Sequence, residues 1–178
     1  AAELTQRLLD YSGKGFFLVK LTQLSQALME LTDMLRVPIP RPVTLRFDLM
    51  PDLPVCEIDY GQLQQVLLNL VMNALEAMQS QPPERRRLDL TFERNNTGEA
   101  IVAVRDSGPG IPQDQQEKLF MAFWTTKPQG MGIGLSISYS IIESHGGRLC
   151  CDNNPDGGAT FSFTLPVGDR KGRSDGVM

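Results

Sequence analysis

Residues 59–78 read Asp59-Tyr60-Gly61-Gln62-Leu63-Gln64-Gln65-Val66-Leu67-Leu68-Asn69-Leu70-Val71-Met72-Asn73-Ala74-Leu75-Glu76-Ala77-Met78, and this stretch decides the fold. Leu63, Val66, Leu67, Leu70, Val71, Ala74 and Met78 recur at steps of three and four, the apolar face of one long helix. Asp59, with Gln62 three residues on, resembles a capping box that starts it. A second stripe, Gln62, Gln65, Asn69, Asn73 and Glu76, shares one polar face. Asparagine has poor propensity for a helix interior, so two of them one turn apart suggest a task. A carboxamide offers a neutral oxygen to a hard cation such as Mg²⁺. A solvent-facing stripe would look the same, and this helix alone does not separate the two.

Downstream, Asp106-Ser107-Gly108-Pro109-Gly110-Ile111 follows the apolar run 100–104. A loop at a strand end is a common ligand position, and its glycines allow close approach. Asp106 only accepts hydrogen bonds when ionised, while adenine presents an amino donor where guanine presents a carbonyl oxygen. A carboxylate there selects adenine, although an ordinary Asp-Ser-Gly turn reads alike. Gly130-Met131-Gly132-Ile133-Gly134-Leu135 places glycine at every second position before a helix, where backbone N–H groups and the helix dipole favour phosphate. The spacing matches neither a Walker loop nor a dinucleotide fingerprint, and a hinge is the plain alternative. Between the two loops lies Leu119-Phe120-Met121-Ala122-Phe123-Trp124-Thr125-Thr126-Lys127, with aromatics to anchor a short mobile segment and Lys127 to meet a phosphate. The alternative is that Phe120 and Phe123 are core and Lys127 is solvated.

The flanking sequence supplies a sheet. Alternation predicts strands at 43–50, around Leu88, Leu90 and Phe92, and at Ala159, Phe161, Phe163 and Leu165. A continuous apolar run at 100–104 predicts a buried central strand, and 149–152 a short one. Helices are expected at about 24–37, 113–121 and 132–145, the first halted by Pro38, Pro40 and Pro42. The sum is an α/β fold, a two-layer sandwich of about five mixed strands with helices on one face. Leu4, Leu8 and Leu9 have helical spacing, broken at 12–15. The polar tail 168–178 is expected to lack order.

The bulk numbers exclude other classes. The chain has 178 residues, 41% hydrophobic and 21% charged, enough for one core. A net charge of −4 and a pI near 5.0 leave no basic excess for nucleic acid. Arg85, Arg86 and Arg87 are the only basic run and read as solvated surface. Cys56, Cys150 and Cys151 form neither a disulfide framework nor a zinc site and suit a reducing cytoplasm. No apolar run reaches the roughly 18 residues that span a bilayer, so no membrane contact is expected here, although a larger parent could be anchored.

Taken in order over about 43–166, these segments resemble the ATP-binding domain shared by histidine kinases, type II topoisomerases, Hsp90 and MutL. The resemblance implies ATP and Mg²⁺ as cofactors. By it, 68–74 is the N box, with Asn73 the Mg²⁺ ligand and Asn69 facing the phosphates. The first glycine box sets Asp106 on the adenine amine, beside Gly108, Gly110 and Ile111. The F box contributes Phe120, Thr125, Thr126 and Lys127, and the second glycine box Gly130, Gly132, Ile133, Gly134 and Leu135. Thr160, after Gly157 and Gly158, is expected on the adenine side. Asn69 and Lys127 would carry catalysis. The run Trp124-Thr125-Thr126-Lys127-Pro128 and 134–138 look like sensor histidine kinases of the nitrogen-regulation and oxygen-sensing type.

The same resemblance assigns 1–23 to the end of a dimerisation helix plus linker, 24–167 to the catalytic domain and 168–178 to a tail. The implied partners are the chain's own dimerisation and phosphoacceptor helices and the receiver domain of a response regulator. The parent would be a homodimer and this chain a monomer. His145, the only histidine, precedes Gly146-Gly147 and lacks the acidic neighbour and proline of an acceptor motif, so it reads as structural. The acceptor is expected upstream of residue 1. The topoisomerase and Hsp90 branch has glutamate where Asn69 stands. An asparagine takes no proton from water, which disfavours hydrolysis and favours transfer to a histidine ring. The rivals are a serine kinase of the anti-sigma type, which would leave acid-stable phosphoserine on a partner, or an ATPase of the topoisomerase and MutL branch, and a nucleotide-binding module without catalysis.

Overall fold

A computed structural model describes residues 18–168 of the chain. The helix expected at 1–11 and the tail from 169 onward lie outside the described residues. The chain runs β1 (Val19–Gln23), α1 (Leu24–Leu35), β2 (Thr44–Leu49), β3 (Val55–Asp59), α2 (Tyr60–Ala77), β4 (Arg87–Arg94), β5 (Ala100–Asp106), α3 (Gln113–Gln116), α4 (Gly134–Ser144), β6 (Leu149–Asn153) and β7 (Ala159–Leu165).

Five strands form the main sheet in the order β2-β4-β5-β7-β6, with β2 and β4 parallel and the remaining pairs antiparallel. The α/β sandwich expected from the alternating patterns is therefore present. Alternation decides the layers: Ala100, Val102, Val104 and Asp106 of β5 face the buried side, as do Ala159, Phe161, Phe163 and Leu165 of β7. α2 packs on β5 and on α4, and α4 covers β6 and β7. The apolar face read from the sequence of α2 is buried throughout, with Leu67, Leu70, Val71 and Met78 at 0% exposure. Fully burying one such side chain contributes roughly 1.5–3 kcal/mol, so this face fixes the helix on the sheet.

Two strands have no counterpart in the sequence reading. β1 pairs antiparallel with β3, Val19 opposite Asp59 and Gln23 opposite Val55. Residues 19–23, expected as linker, are thus held against the strand that leads into α2. The third predicted helix is shorter than expected. α3 ends at Gln116 and turns carry 117–121, because the chain must bend to seat Leu119 in the core. α4 begins at Gly134, two residues later than expected, and ends at Ser144. Gly146 follows at φ +78°, the left-handed residue that closes a helix.

Candidate nucleotide site

The site lies along one face of α2, and each sequence motif meets that helix at a different height. Ala77, at its C-terminal end, touches the first glycine loop: a Cβ on Gly108 would sit 3.0 Å from the Ala77 carbonyl oxygen. Asn73 and Glu76 meet Lys127. Asn69 meets the start of α4. Asn69 and Ala77 are eight residues apart, about 12 Å along the axis. The N box therefore joins both glycine loops, which the one-dimensional order could only suggest.

Asp106 ends β5 on the buried side, only 4% exposed. Its Oδ1 accepts from the N–H of Gly108 at 2.8 Å and of Ala159 at 3.3 Å. Burial pushes its pKa up, and these two N–H groups pull it back down. Oδ2 has no hydrogen bond among the described residues and is not fully buried, so an acceptor is left open to a donor-bearing ligand edge. The first glycine loop is clamped by a residue the sequence reading missed. Asn153 accepts from the Ile111 N–H through Oδ1 and donates to the Ile111 carbonyl through Nδ2, both at 2.8 Å. An asparagine at a strand end was its only signal.

Thr160 stands beside the Asp106 contact rather than in it. Alternation along β7 turns it to the open face of the sheet, where its hydroxyl donates to Asn154. Its neighbour Ala159 is the residue that reaches Asp106, through the backbone. Gly158 makes that approach possible: at φ +85°, a Cβ there would lie 2.0 Å from the Asp106 carbonyl oxygen.

At the other end, the F-box and second glycine loops pack on each other. The Phe123 N–H donates to the Gly132 carbonyl at 2.8 Å, and a Cβ on Gly132 would fall 2.5 Å from the Trp124 oxygen. Phe120 lies against Tyr139, ring centroids 5.3 Å apart, and belongs to the packing. Phe123 is 65% exposed at φ +66°, so it is not core. Thr125 accepts from the Lys127 N–H at 3.0 Å through its hydroxyl, and Thr126 and Gly130 are exposed. Ile133 is buried, Leu135 half-buried, and Ile133 as N-cap gives no side-chain hydrogen bond to the start of α4. The first N–H groups of α4 thus lack a side-chain cap, the condition in which a helix end receives an anion.

The donor set fits a magnesium nucleotide. The Oδ1 of Asn73 already accepts from a cation, the Lys127 ammonium, at 3.0 Å, and that ammonium also pairs with Glu76. The asparagine therefore turns its oxygen, not its amide nitrogen, toward positive charge. Among the described residues no cluster of three or more His, Cys, Asp or Glu could hold a metal. An ion here would need the phosphates and water for its remaining ligands, as Mg²⁺ commonly takes them.

Residues 58–169 match the family model for the histidine kinase-, DNA gyrase B- and HSP90-like ATPase. The chain is 44% identical over 171 residues to the sensor protein FixL of Bradyrhizobium diazoefficiens, covering 95% of this chain but 33% of FixL. The catalytic domain of histidine kinase ThkA aligns with a TM-score of 0.71 and 36% identity, over 83% of this chain and 95% of that one. ThkA solved in complex with the response regulator protein TrrA aligns with a TM-score of 0.75 and 30% identity, over 94% of this chain and 47% of that one. The chain belongs to the histidine kinase-, DNA gyrase B- and HSP90-like ATPase family and, within it, to the ATP-binding catalytic domains of histidine kinases.

Proposed function

We propose that this chain binds ATP with Mg²⁺ and catalyses transfer of its γ-phosphoryl group to a histidine on the dimerisation helices of its own parent protein. The phosphoryl group would then pass to an aspartate of a response regulator. One observation supports the reading above the others: Asp106, Asn73, Lys127 and the uncapped start of α4 lie in sequence along the single helix α2.

In this reading Asp106 holds the adenine amine through its uncommitted oxygen, and Gly108, Gly110 and Ile111 give the base a close backbone wall. The N–H groups of Gly134 and Leu135 meet the phosphates, with Gly130, Gly132 and Ile133 shaping the turn before them. Bound Mg²⁺ would neutralise phosphate charge, with Asn73 as its protein ligand and Asn69 beside it. Lys127 leaves Asn73 and Glu76 and moves to the phosphate oxygens. A P–N bond to the acceptor histidine forms as the γ-phosphorus–oxygen bond breaks, and ADP leaves. The chain contributes position and charge and no covalent intermediate. Asn69, lacking a proton-accepting carboxylate, does not activate water.

The parent would be a homodimer working in the cytoplasm. No helix among the described residues is long and apolar enough to cross a membrane. The partition at residues 23 and 167 belongs to the same proposal. ThkA, solved with TrrA, supports a receiver domain as the partner. Autophosphorylation of the parent protein with radiolabelled ATP tests the reading. Label that is acid-labile and disappears when the acceptor histidine is replaced supports it. Label that survives that replacement, or that is acid-stable, refutes it.

A further inference from the structure

Ser138 lies one turn into α4, is 0% exposed, and is not one of the nucleotide-site residues proposed above. Its hydroxyl donates to the Gly134 carbonyl at 2.9 Å, an ordinary back-bond for serine in a helix. The other side of the hydroxyl is less ordinary. The Nδ2 of Asn69, on the facing helix, donates to the Ser138 oxygen at 3.2 Å and to the same Gly134 carbonyl at 3.2 Å. Three polar groups thus form a closed triangle between α2 and the first turn of α4.

We propose that Ser138 is a positioning residue that sets which end of the Asn69 carboxamide is offered to the nucleotide. A carboxamide has one donor end and one acceptor end. The Ser138 proton is committed to Gly134, so the hydroxyl shows Asn69 a lone pair. The Gly134 carbonyl also shows it a lone pair. Only the NH₂ end of Asn69 satisfies both. Turned over, Asn69 would set its oxygen against a carbonyl oxygen, and Ser138 would have to abandon Gly134 to relieve the contact. Because the triangle is buried at Ser138, the cost of the wrong orientation is not screened by water. Oδ1 of Asn69 therefore stays the acceptor without a hydrogen bond among the described residues. This rests on the reading of α2 as the Mg-ATP helix: an outward oxygen suits a cation or its water, and an outward amino group would suit bare phosphate.

The triangle also joins the N box to the phosphate loop, since one asparagine touches both the residue that starts α4 and the residue one turn in. A shift of α4 along α2 would break both bonds of Asn69 together.

The test uses two matched pairs that differ only by the hydroxyl: wild type against Ser138→Ala, and Ser138→Thr against Ser138→Val. The second pair cancels any cost of the extra methyl in a packed position. Asn69 side-chain amide signals, assigned by their loss in Asn69→Ala, are followed by ¹⁵N–¹H spectroscopy without nucleotide. ATP affinity is then measured by calorimetry with Mg²⁺ and with a chelator. Loss of the hydroxyl should move the Asn69 signals and weaken ATP binding with Mg²⁺ by about five-fold, the scale of one hydrogen bond, with little change in the chelator. In an Asn69→Ala background the hydroxyl should no longer matter. An equal loss with and without Mg²⁺, or the same loss in the Asn69→Ala background, would show a structural role only and overturn the proposal. Unmoved Asn69 signals would overturn it as well. A wild type that binds no ATP overturns the functional reading and the purpose given to Ser138 together. ATP binding that ignores the hydroxyl overturns the positioning role alone.

Discussion

His145 Nε2 accepts a hydrogen bond from the backbone N–H of Asp59 at 3.0 Å, joining the end of α4 to the start of α2. The ring's other nitrogen, Nδ1, lies 2.7 Å from the Ile141 carbonyl and donates to it in the tautomer this geometry requires. Asp59 completes the junction. Its Oδ1 caps the Gln62 N–H at 3.1 Å, and its Oδ2 accepts from the Leu18 N–H at 2.9 Å. The capping box read from the sequence is thus half made. Asp59 serves Gln62 as expected, but the return bond to the Asp59 N–H comes from His145, and Gln62 Oε1 is left buried and unpaired. With both ring nitrogens engaged, His145 holds two helices together and presents no free nucleophile.

Replacing His145 by alanine should therefore cost stability and spare chemistry. The change strands the buried Asp59 N–H and removes two hydrogen bonds, so a loss of about 1–3 kcal/mol is expected. Urea unfolding measures that loss. ATP affinity should stay within about two-fold of wild type, because the junction is at the end of α2 remote from Asn73 and Ala77. Abolished phosphorylation in the parent at full fold stability would reverse this assignment and make His145 an acceptor.

Asp106→Asn should trade binding for stability. Burial raises the Asp106 pKa above its ordinary value, so the folded state binds the proton more tightly than the unfolded chain does. The sign follows. Whatever stability Asp106 contributes is present in full below the ordinary range and is lost as pH rises through the raised value. Asparagine mimics the protonated form. At pH 7 the variant should be as stable as wild type or more so, and that advantage should vanish as pH falls into the acid range. ATP affinity should fall about 10- to 100-fold, the scale of a hydrogen bond to a charged group. Thermal melts across pH, beside calorimetric titration at pH 7, check both halves. A variant that binds ATP normally would remove Asp106 from the adenine site.

Much of this was legible in the sequence, for identifiable reasons. The apolar stripe of α2 and the alternation of β5 and β7 are periodic over many residues, and the core follows them. β1 and β3 were missed because five-residue strands that start or end in mixed polar sequence carry little periodicity, and their pairing spans residues 19–59. The glycine loops were visible as spacing, yet their partners were not. Asn153 on Ile111, Ser138 on Asn69 and Glu76 on Lys127 are contacts made only when distant segments meet. At the start of β7 it is the Ala159 N–H, not the Thr160 side chain, that meets Asp106, because in a strand one residue is a change of face.

Glu76→Gln should expose what the Lys127 contact does. Both side chains are more than a third exposed, 41% and 44%, so the pair contributes little to stability and the melting temperature should barely move. ATP affinity should respond differently. Removing a carboxylate beside Asn73 lessens repulsion of the nucleotide when Mg²⁺ is absent and removes an attraction for the cation when it is present. The gap between Mg²⁺-dependent and Mg²⁺-free binding should narrow by several-fold. Lys127→Met should weaken binding in both conditions, since it removes the cation proposed to meet the phosphates. Titrations of the two variants with and without chelator separate these outcomes. An unchanged gap in Glu76→Gln would confine Glu76 to the surface.

Gly158→Ala is the severest single test of how the adenine end is built. The residue sits at φ +85°, where a side chain costs about 1–2 kcal/mol on conformational grounds alone. Steric overlap is added to this, because the new Cβ would fall 2.0 Å from the Asp106 carbonyl oxygen and 3.0 Å from its Oδ1. Neither neighbour yields easily: the first is strand backbone, and the second is fixed by the Gly108 and Ala159 N–H groups. Relief requires the turn at 154–158 to move away from β5, and that movement draws the Ala159 N–H off Asp106. With one of its two N–H partners gone, the Asp106 pKa should rise further, and ATP binding should weaken together with stability. Gly157→Ala provides the control. Its φ is +102°, so it shares the conformational cost, but its nearest neighbour is the Gly108 oxygen at 3.9 Å. Gly157→Ala should lose stability and keep ATP affinity near wild type, while Gly158→Ala loses both. Equal ATP affinities in the two variants would mean that the close approach of Gly158 to Asp106 does not shape the site.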